Sequence, residues 1–100
     1  MNSRIVTDPR PEILSSWMVD GLYITWNRLV SILGEPNSDG DGYKVDGEWE
    51  FLFDGEKCSI WNYKNGPNYF GEGAVEDIDY FSMWSEDENI VAEFKKFIGA

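Results

Sequence analysis

A two-residue turn between two β-prone segments constrains the fold of this chain more than any other feature. In the segment EWEFLFDGEKCSIWNY, Asp54-Gly55 separates two runs of β-prone residues. This pattern predicts a tight antiparallel hairpin, and such a turn also sets the pairing register of the two strands. The expected pairs are Phe53 with Glu56, Phe51 with Cys58, and Trp49 with Ile60.

The register divides the hairpin into two faces, because side chains alternate across a strand. We assign Trp49, Phe51 and Phe53, with their partners, to the core. The other face is predicted to carry Glu48, Glu50, Ser59, Trp61 and Tyr63. Two carboxylates are therefore expected beside two aromatic rings. Such a surface suits an arginine of a partner protein, which can stack on a ring and pair with an acid. The alternative is that a helix covers this face and buries both rings.

Helical periodicity flanks the hairpin on both sides. A helix is predicted over Trp26–Leu33, with Thr25 as its N-cap, and it ends before Pro36. A second helix is predicted over Glu86–Ile98, and it begins with a capping box formed by Ser85 and Glu88. These helices bracket the hairpin in the chain.

Further extended segments are expected at Leu22–Ile24, Tyr43–Val45 and Asp79–Trp84. The predicted fold is therefore α+β, with a small antiparallel sheet whose central hairpin lies near residues 48–63, packed against an N-terminal and a C-terminal helix. Residues 1–12 contain two prolines and are predicted to form a flexible arm, whereas residues 13–100 are predicted to form a single domain.

The charge is large and unevenly distributed. Nineteen Asp and Glu residues against eight Lys and Arg give a net charge of −11. Residues 1–34 hold three acids and three arginines, residues 35–56 hold eight acids against Lys44 alone, and residues 65–94 hold eight acids and no base. Such acidity disfavours direct contact with nucleic acid or with an anionic membrane and favours a basic protein surface as partner. A plain solvated surface remains the alternative.

Several kinds of chemistry have no residues to support them. The chain contains no histidine and only Cys58, which excludes the Ser-His and Cys-His nucleophile pairs and the common zinc sites. No phosphate-binding glycine motif is present. We therefore expect a protein that is not an enzyme and has no cofactor. The single cysteine and the lack of an apolar signal segment predict the cytoplasm.

One segment approaches the pattern of a calcium-binding loop. Asn37, Asp39, Asp41 and Glu48 have the spacing of four oxygen ligands, and Gly42 stands where the loop must turn sharply. The first position is Asn where Asp is usual, and a strand is predicted to follow where a helix belongs. We therefore predict no metal site and keep this loop only as a weak calcium candidate.

The segment from residue 29 to residue 98 resembles a family of small phage-encoded acidic proteins of unassigned activity. The resemblance lies in the motifs LGEP at 33–36, GYKVD at 42–46, EW at 48–49, FDG at 53–55 and IWNYK at 60–64, followed by Trp84. Members of that family are expected to have a His-Ile-Gly-Gly-like segment where this chain has residues 81–85, so no role of that histidine applies here. The resemblance implies a phage setting, and hence the cytoplasm of a host cell.

These observations lead to one leading functional hypothesis. We expect a phage-encoded binding module that inhibits a host defence or nucleic-acid-handling protein through an acidic and aromatic surface, with DNA mimicry as one form of that activity. The expected partner-binding residues are Glu48, Glu50, Trp61 and Tyr63, with Asp39, Asp41, Glu76, Asp77 and Asp79 supplying long-range charge. Two alternatives remain open: a protein that sequesters a nucleotide or signalling molecule, and a self-associating virion or assembly module.

Overall fold

The computed structural model describes residues 4–99 and has five strands and three α-helices in them. The strands are β1 Ile5–Val6, β2 Asp20–Tyr23, β3 Glu48–Phe53, β4 Glu56–Trp61 and β5 Tyr80–Ser85. The helices are α1 Trp26–Leu33, α2 Pro67–Phe70 and α3 Glu88–Ile98, and a 3-10 turn covers Val75–Asp77. All strand pairs are antiparallel, in the order β1-β3-β4-β5-β2. The predicted α+β class is confirmed. No helix in this part of the chain is long and apolar enough to cross a membrane.

The β3–β4 hairpin has the predicted register. Trp49 lies opposite Ile60, Phe51 opposite Cys58, and Phe53 opposite Glu56. Asp54 and Gly55 have φ angles of 52° and 82°, which are the positive values that a tight hairpin turn requires at both central positions. Asp tolerates this conformation and Gly adopts it without steric cost, so the Asp-Gly pair determines where the chain reverses.

Both long helices pack on the apolar face of the sheet. The ring of Phe94 on α3 lies 5.4 Å from that of Phe51 and 5.1 Å from that of Phe53. On α1, the ring of Trp26 lies 5.0 Å from that of Trp49. These rings are almost completely removed from water, and the burial of each contributes about 2–3 kcal/mol to folding. The core is therefore an aromatic layer between the sheet and the two helices.

The other face of the sheet is crossed by the chain itself. β1 and β2 lie at opposite edges, so the segment 7–18 that joins them must pass over β3, β4 and β5. Arg10 reaches the carboxylate of Glu50 on β3 at 3.6 Å, and the ring of Trp17 lies 5.8 Å from that of Trp84 on β5. The covering element on this face is thus an irregular segment and not a helix.

Three local predictions differ from the structure, and one short helix was not predicted. The segment 1–12, predicted as a flexible arm, contains the edge strand β1, which pairs with β3; residues 1–3 of that segment lie outside the described residues. The last helix begins at Glu88 with Asp87 as its N-cap, because Ser85 is still in β5, where it pairs with Cys58. The extended segment predicted at residues 43–45 is bent and is not a strand. The helix α2 lies in a part of the chain where no helix was predicted.

Candidate binding surface

Two loops meet at one end of the sheet, where β3 and β5 begin and β4 ends. Residues 35–47 lead into β3, and residues 62–79 connect β4 to β5. We call these two segments together the loop end. The backbone N–H of Lys64 donates to the carbonyl of Lys44 at 2.8 Å, and Asn68 Nδ2 donates to the carbonyl of Val45 at 3.2 Å. The loops are therefore hydrogen-bonded to each other where residues 44–47 meet residues 62–68.

A junction formed by the side chains of Asn62 and Asp46 positions the two loops. Asn62 is completely buried at the end of β4, and its Oδ1 accepts the backbone N–H groups of Asp46 and Gly47 at 2.8 and 3.3 Å. The carboxylate of Asp46 in turn accepts the backbone N–H of Asn68 at 2.9 Å, in α2. Gly66 allows this approach, since a Cβ at that position would collide with the Asp46 carboxylate.

The junction brings together three exposed tyrosines, Tyr43, Tyr63 and Tyr69, which we call the tyrosine cluster. Their exposed fractions are 57%, 52% and 37%. The rings of Tyr43 and Tyr69 have centroids 5.7 Å apart. The ammonium of Lys64 lies 5.4 Å from the ring centroid of Tyr63 and 5.7 Å from that of Tyr69. Phe70, also exposed, lies 5.8 Å from Tyr69 and extends the apolar area.

Asp41 folds the first loop so that Tyr43 reaches the cluster. Its Oδ1 accepts the backbone N–H groups of Tyr43, Lys44 and Val45 at 2.9, 2.8 and 3.1 Å. These bonds, with that of Tyr43 the strongest cause, hold the pKa of the Asp41 carboxyl below its usual value. This turn replaces the extended segment predicted at 43–45.

The tyrosine cluster lies in the most acidic part of the molecule. The loop end contains eight acids against Lys44 and Lys64. All of the acids except Asp46 are exposed. The exposed ones are Glu35, Asp39, Asp41, Glu72, Glu76, Asp77 and Asp79. The structure thus places five of the predicted charged residues, together with Tyr63, at one end of the sheet.

Glu48 and Glu50 lie on the predicted face, but they are engaged there in contacts within the chain. The Glu48 carboxylate accepts the hydroxyls of Ser38 and Ser59, each at 3.1 Å. The Glu50 side chain is only 13% exposed beneath Arg10. Burial and the nearby Glu48 carboxylate raise its pKa, which the Arg10 charge partly offsets. Neither carboxylate is as accessible as the acids of the loop end.

Trp61 shares this covered face and is half-buried. It pairs with Glu48 and Ser82 across the sheet, whereas Tyr63, two residues later, has left the sheet and is exposed. The hot spot predicted from the hairpin alone is therefore divided between two surfaces.

Three of the four residues of the calcium candidate are held in separate hydrogen-bonding arrangements within the chain. Asn37 pairs with the free edge of β3, since its Nδ2 donates to the carbonyl of Glu50 and its Oδ1 accepts the Glu50 N–H, each at 2.8 Å. Asp41 closes its own turn, Glu48 binds two serine hydroxyls, and Asp39 is exposed. Within residues 4–99, no group of three His, Cys, Asp or Glu side chains is placed to hold a metal ion.

Other potentially reactive or ligand-binding features are less suited to a site. Burial raises the pKa of the Cys58 thiol to about 12, so it stays protonated at neutral pH. A cavity of about 240 Å³ borders the tyrosine cluster at Phe70, but Glu72 and Asp77 line it and would repel a nucleotide phosphate. Arg28 lines a larger cavity, of about 330 Å³, but its guanidinium already donates a hydrogen bond to the carbonyl of Ile98.

A second exposed surface was not predicted from the sequence. On the segment that crosses the sheet, Leu14, Trp17 and Met18 are 89%, 58% and 49% exposed. Their neighbourhood in the chain is close to neutral. The comparisons with known proteins add no assignment for either surface: no protein-family model, curated protein or solved structure matches this chain.

The junction predicts that Asp46→Ala separates the two loops. The change removes the acceptor of the Asn68 N–H, and a hydrogen bond to a partly exposed carboxylate contributes about 1–2 kcal/mol. We expect faster amide hydrogen exchange at Asn68 and weaker proton contacts between Tyr43 and Tyr69 in NMR spectra. The control is Asp39→Ala, which removes an equal charge from a carboxylate that forms no hydrogen bond or ion pair within the described residues. Unchanged exchange at Asn68 in Asp46→Ala would show that the junction does not hold the loops.

The turn at Asp41 predicts a pH dependence of the loop. The folded pKa is lowered, so the ionised carboxylate stabilises the turn above the unfolded pKa and this contribution is lost as the pH falls through the folded pKa. The Tyr43 amide signal should shift with a midpoint below that of the Asp41 carboxyl in a short unstructured peptide. In Asp41→Asn, which retains one acceptor oxygen, this transition should be absent. A midpoint equal to that of the peptide contradicts the prediction.

Proposed function

We propose that this protein acts by binding a basic surface of another protein through the loop end. The observation that carries the proposal is the joining of two acidic loops around an exposed tyrosine cluster. Tyrosine is enriched where proteins bind each other, because its ring supplies contact area at little entropic cost and its hydroxyl can hydrogen-bond. The carboxylates around the cluster would attract a positive partner over a distance and orient it.

The biological form of this proposal follows from the resemblance to phage proteins. We propose that the protein is made during infection and inhibits a host protein of defence or of nucleic-acid handling in the host cytoplasm. Such targets present basic grooves, so an acidic inhibitor can occupy the place of nucleic acid. In this DNA-mimic form, the long-range charge comes from Asp39, Asp41, Glu76, Asp77 and Asp79. Glu48 and Glu50 contact other parts of the chain and stabilise the sheet from which the loop end extends.

The test is a charge change confined to the loop end. We expect Asp39→Lys with Asp77→Lys to abolish capture of the partner from a lysate of the infected host. Wild-type capture should weaken steeply as salt rises, since screening acts on exposed charges. The matched control is Glu88→Lys with Glu93→Lys on the exposed side of α3, which changes the net charge equally at another place.

The two variants together decide the question. A captured protein supports the proposal if the α3 variant retains it, the loop-end variant loses it, and added duplex DNA displaces it. If both variants capture the same proteins as the wild type at every salt concentration, binding through the loop end is wrong.

A second candidate function is self-association as an assembly module, and the exposed Leu14, Trp17 and Met18 favour it. Two copies that each carry −11 repel one another. Residues 1–34 hold equal numbers of acids and arginines, so this surface is the one where two copies can meet with least repulsion. A second copy of the chain is therefore the partner that this patch suits.

Self-association predicts a dimer whose stability does not fall as salt rises. We expect Leu14→Ser with Met18→Ser to shift the protein to monomer in sedimentation equilibrium, since both changes leave the Trp17–Trp84 contact in place. Phe70→Ser, which removes an exposed ring at the loop end, is the control and should leave the dimer intact. A wild-type protein that is monomeric at millimolar concentration rules out this candidate.

A further inference from the structure

The position of Lys64 indicates what kind of group the tyrosine cluster accepts. Its ammonium lies within 6 Å of two tyrosine ring centroids, which is the range of a cation–π interaction. Lys64 itself has a φ of 57°, a conformation that side chains other than Gly, Asn and Asp rarely adopt. The chain thus accepts an uncommon backbone conformation at the residue whose ammonium lies over the rings.

Lys64 lies over the rings of Tyr63 and Tyr69 and forms no ion pair with the acids of the loop end in the described part of the chain. Among the described residues, ion pairs join Arg4 to Asp54, Arg10 to Glu50, Lys95 to Asp20 and Lys96 to Glu93. None of them includes Lys64, even though seven exposed carboxylates belong to the same loops. In the folded chain, the Lys64 ammonium therefore lies against the faces of Tyr63 and Tyr69.

We propose that the tyrosine cluster is a binding site for an organic ammonium group, and that Lys64 occupies this site in the free protein. The ligand is a lysine ammonium of a partner protein or a small quaternary ammonium compound. Both present the same chemistry, a positive charge on an alkyl-substituted nitrogen, to the negative faces of the rings. The lysine source rests on the proposed function, whereas the small-molecule source does not.

The surroundings favour a cation over a neutral or anionic ligand. Asp41 fixes the turn that brings Tyr43 to the cluster, and the exposed acids of the loop end make the local potential negative. An anion would be repelled, and a neutral ligand of the same shape would gain the contact but not the electrostatic attraction. The site should therefore discriminate between ligands of the same shape by their charge.

Because Lys64 lies where the ligand should bind, it should act as an internal competitor. Its tether keeps its effective concentration high, so an incoming ammonium must displace it. A shorter side chain at position 64, or one without a charge, should then raise the affinity for an external cation. Met retains most of the apolar length of the Lys64 side chain without its charge.

The experiment compares choline with its neutral carbon analogue, 3,3-dimethylbutan-1-ol, by NMR titration of the intact protein. We expect choline to shift the signals of Tyr63, Tyr69 and the neighbouring amides and to bind more tightly than the alcohol. Tyr63→Leu and Tyr69→Leu should each weaken choline binding roughly two- to fivefold, the contribution of one exposed ring, with little effect on the alcohol. Equal binding of choline and the alcohol overturns the proposal.

The competitor is tested by a matched pair of lysine variants. Lys64→Met and Lys57→Met change the net charge equally, and Lys57 lies in β4 at the hairpin end, away from the tyrosine cluster. Lys64→Met should raise the affinity for choline by roughly two- to fivefold more than Lys57→Met does. The same gain in both variants would show that only net charge matters and would overturn the role of Lys64.

A third titration separates the two sources of the ammonium. A short peptide with one lysine, and the same peptide with that lysine acetylated, differ in charge at a single side chain. Binding of the lysine form alone supports a protein ligand. Choline binding without binding of either peptide supports the small-molecule source and contradicts the lysine source. The proposed function is then still tested separately, by the capture experiment with the loop-end variants.

Discussion

The pairing of β3 with β4 is the interaction on which the other parts of this structure depend. The Asp54-Gly55 turn aligns Trp49, Phe51 and Phe53 on one face, and a shift of one residue would turn all three rings toward the opposite face. Both long helices pack on these rings, and β5 extends the sheet from β4. The same register places the end of β4 beside the start of β3, so the loops that precede and follow the hairpin meet at one end.

The sequence predicted the elements that local interactions determine. Thr25 accepts the N–H of Arg28 as an N-cap should, and the hairpin turn requires only the two residues that form it. The prediction was wrong where a distant contact decides the outcome. Ser85 with Glu88 has the pattern of a capping box, but Ser85 pairs with β4 and leaves Asp87 to cap the helix. The two residues of β1, Ile5 and Val6, are β-prone but too few to predict a strand, and their pairing with β3 makes them one.

The candidate site could be predicted from the sequence only in its composition. The acids of residues 35–46 and 72–79 are visible in the sequence. Tyr63 was among the predicted partner-binding residues, but it was placed on the face of the hairpin and not beyond the strand. The contact between Tyr43 and Tyr69 is not visible, because it depends on the buried Asn62 and on hydrogen bonds of Asp46 across the two loops. Conversely, alternation alone placed Glu48 and Glu50 on an open face. The segment that covers that face has no periodic pattern and could not be recognised as a covering element.

The distribution of charge follows from this arrangement and bears on how binding would work. The near-neutral segment 7–18 lies against the sheet, where unpaired charges would be costly, and the acids remain in the loops, where water solvates them. Repulsion among those acids would spread the loops apart if they were held only by their ends. The hydrogen bonds of Asn62, Asp41 and Asp46 oppose that repulsion. A cation that reaches the loop end therefore meets rings and carboxylates that are already in position, and it relieves repulsion without a large cost of ordering the loops.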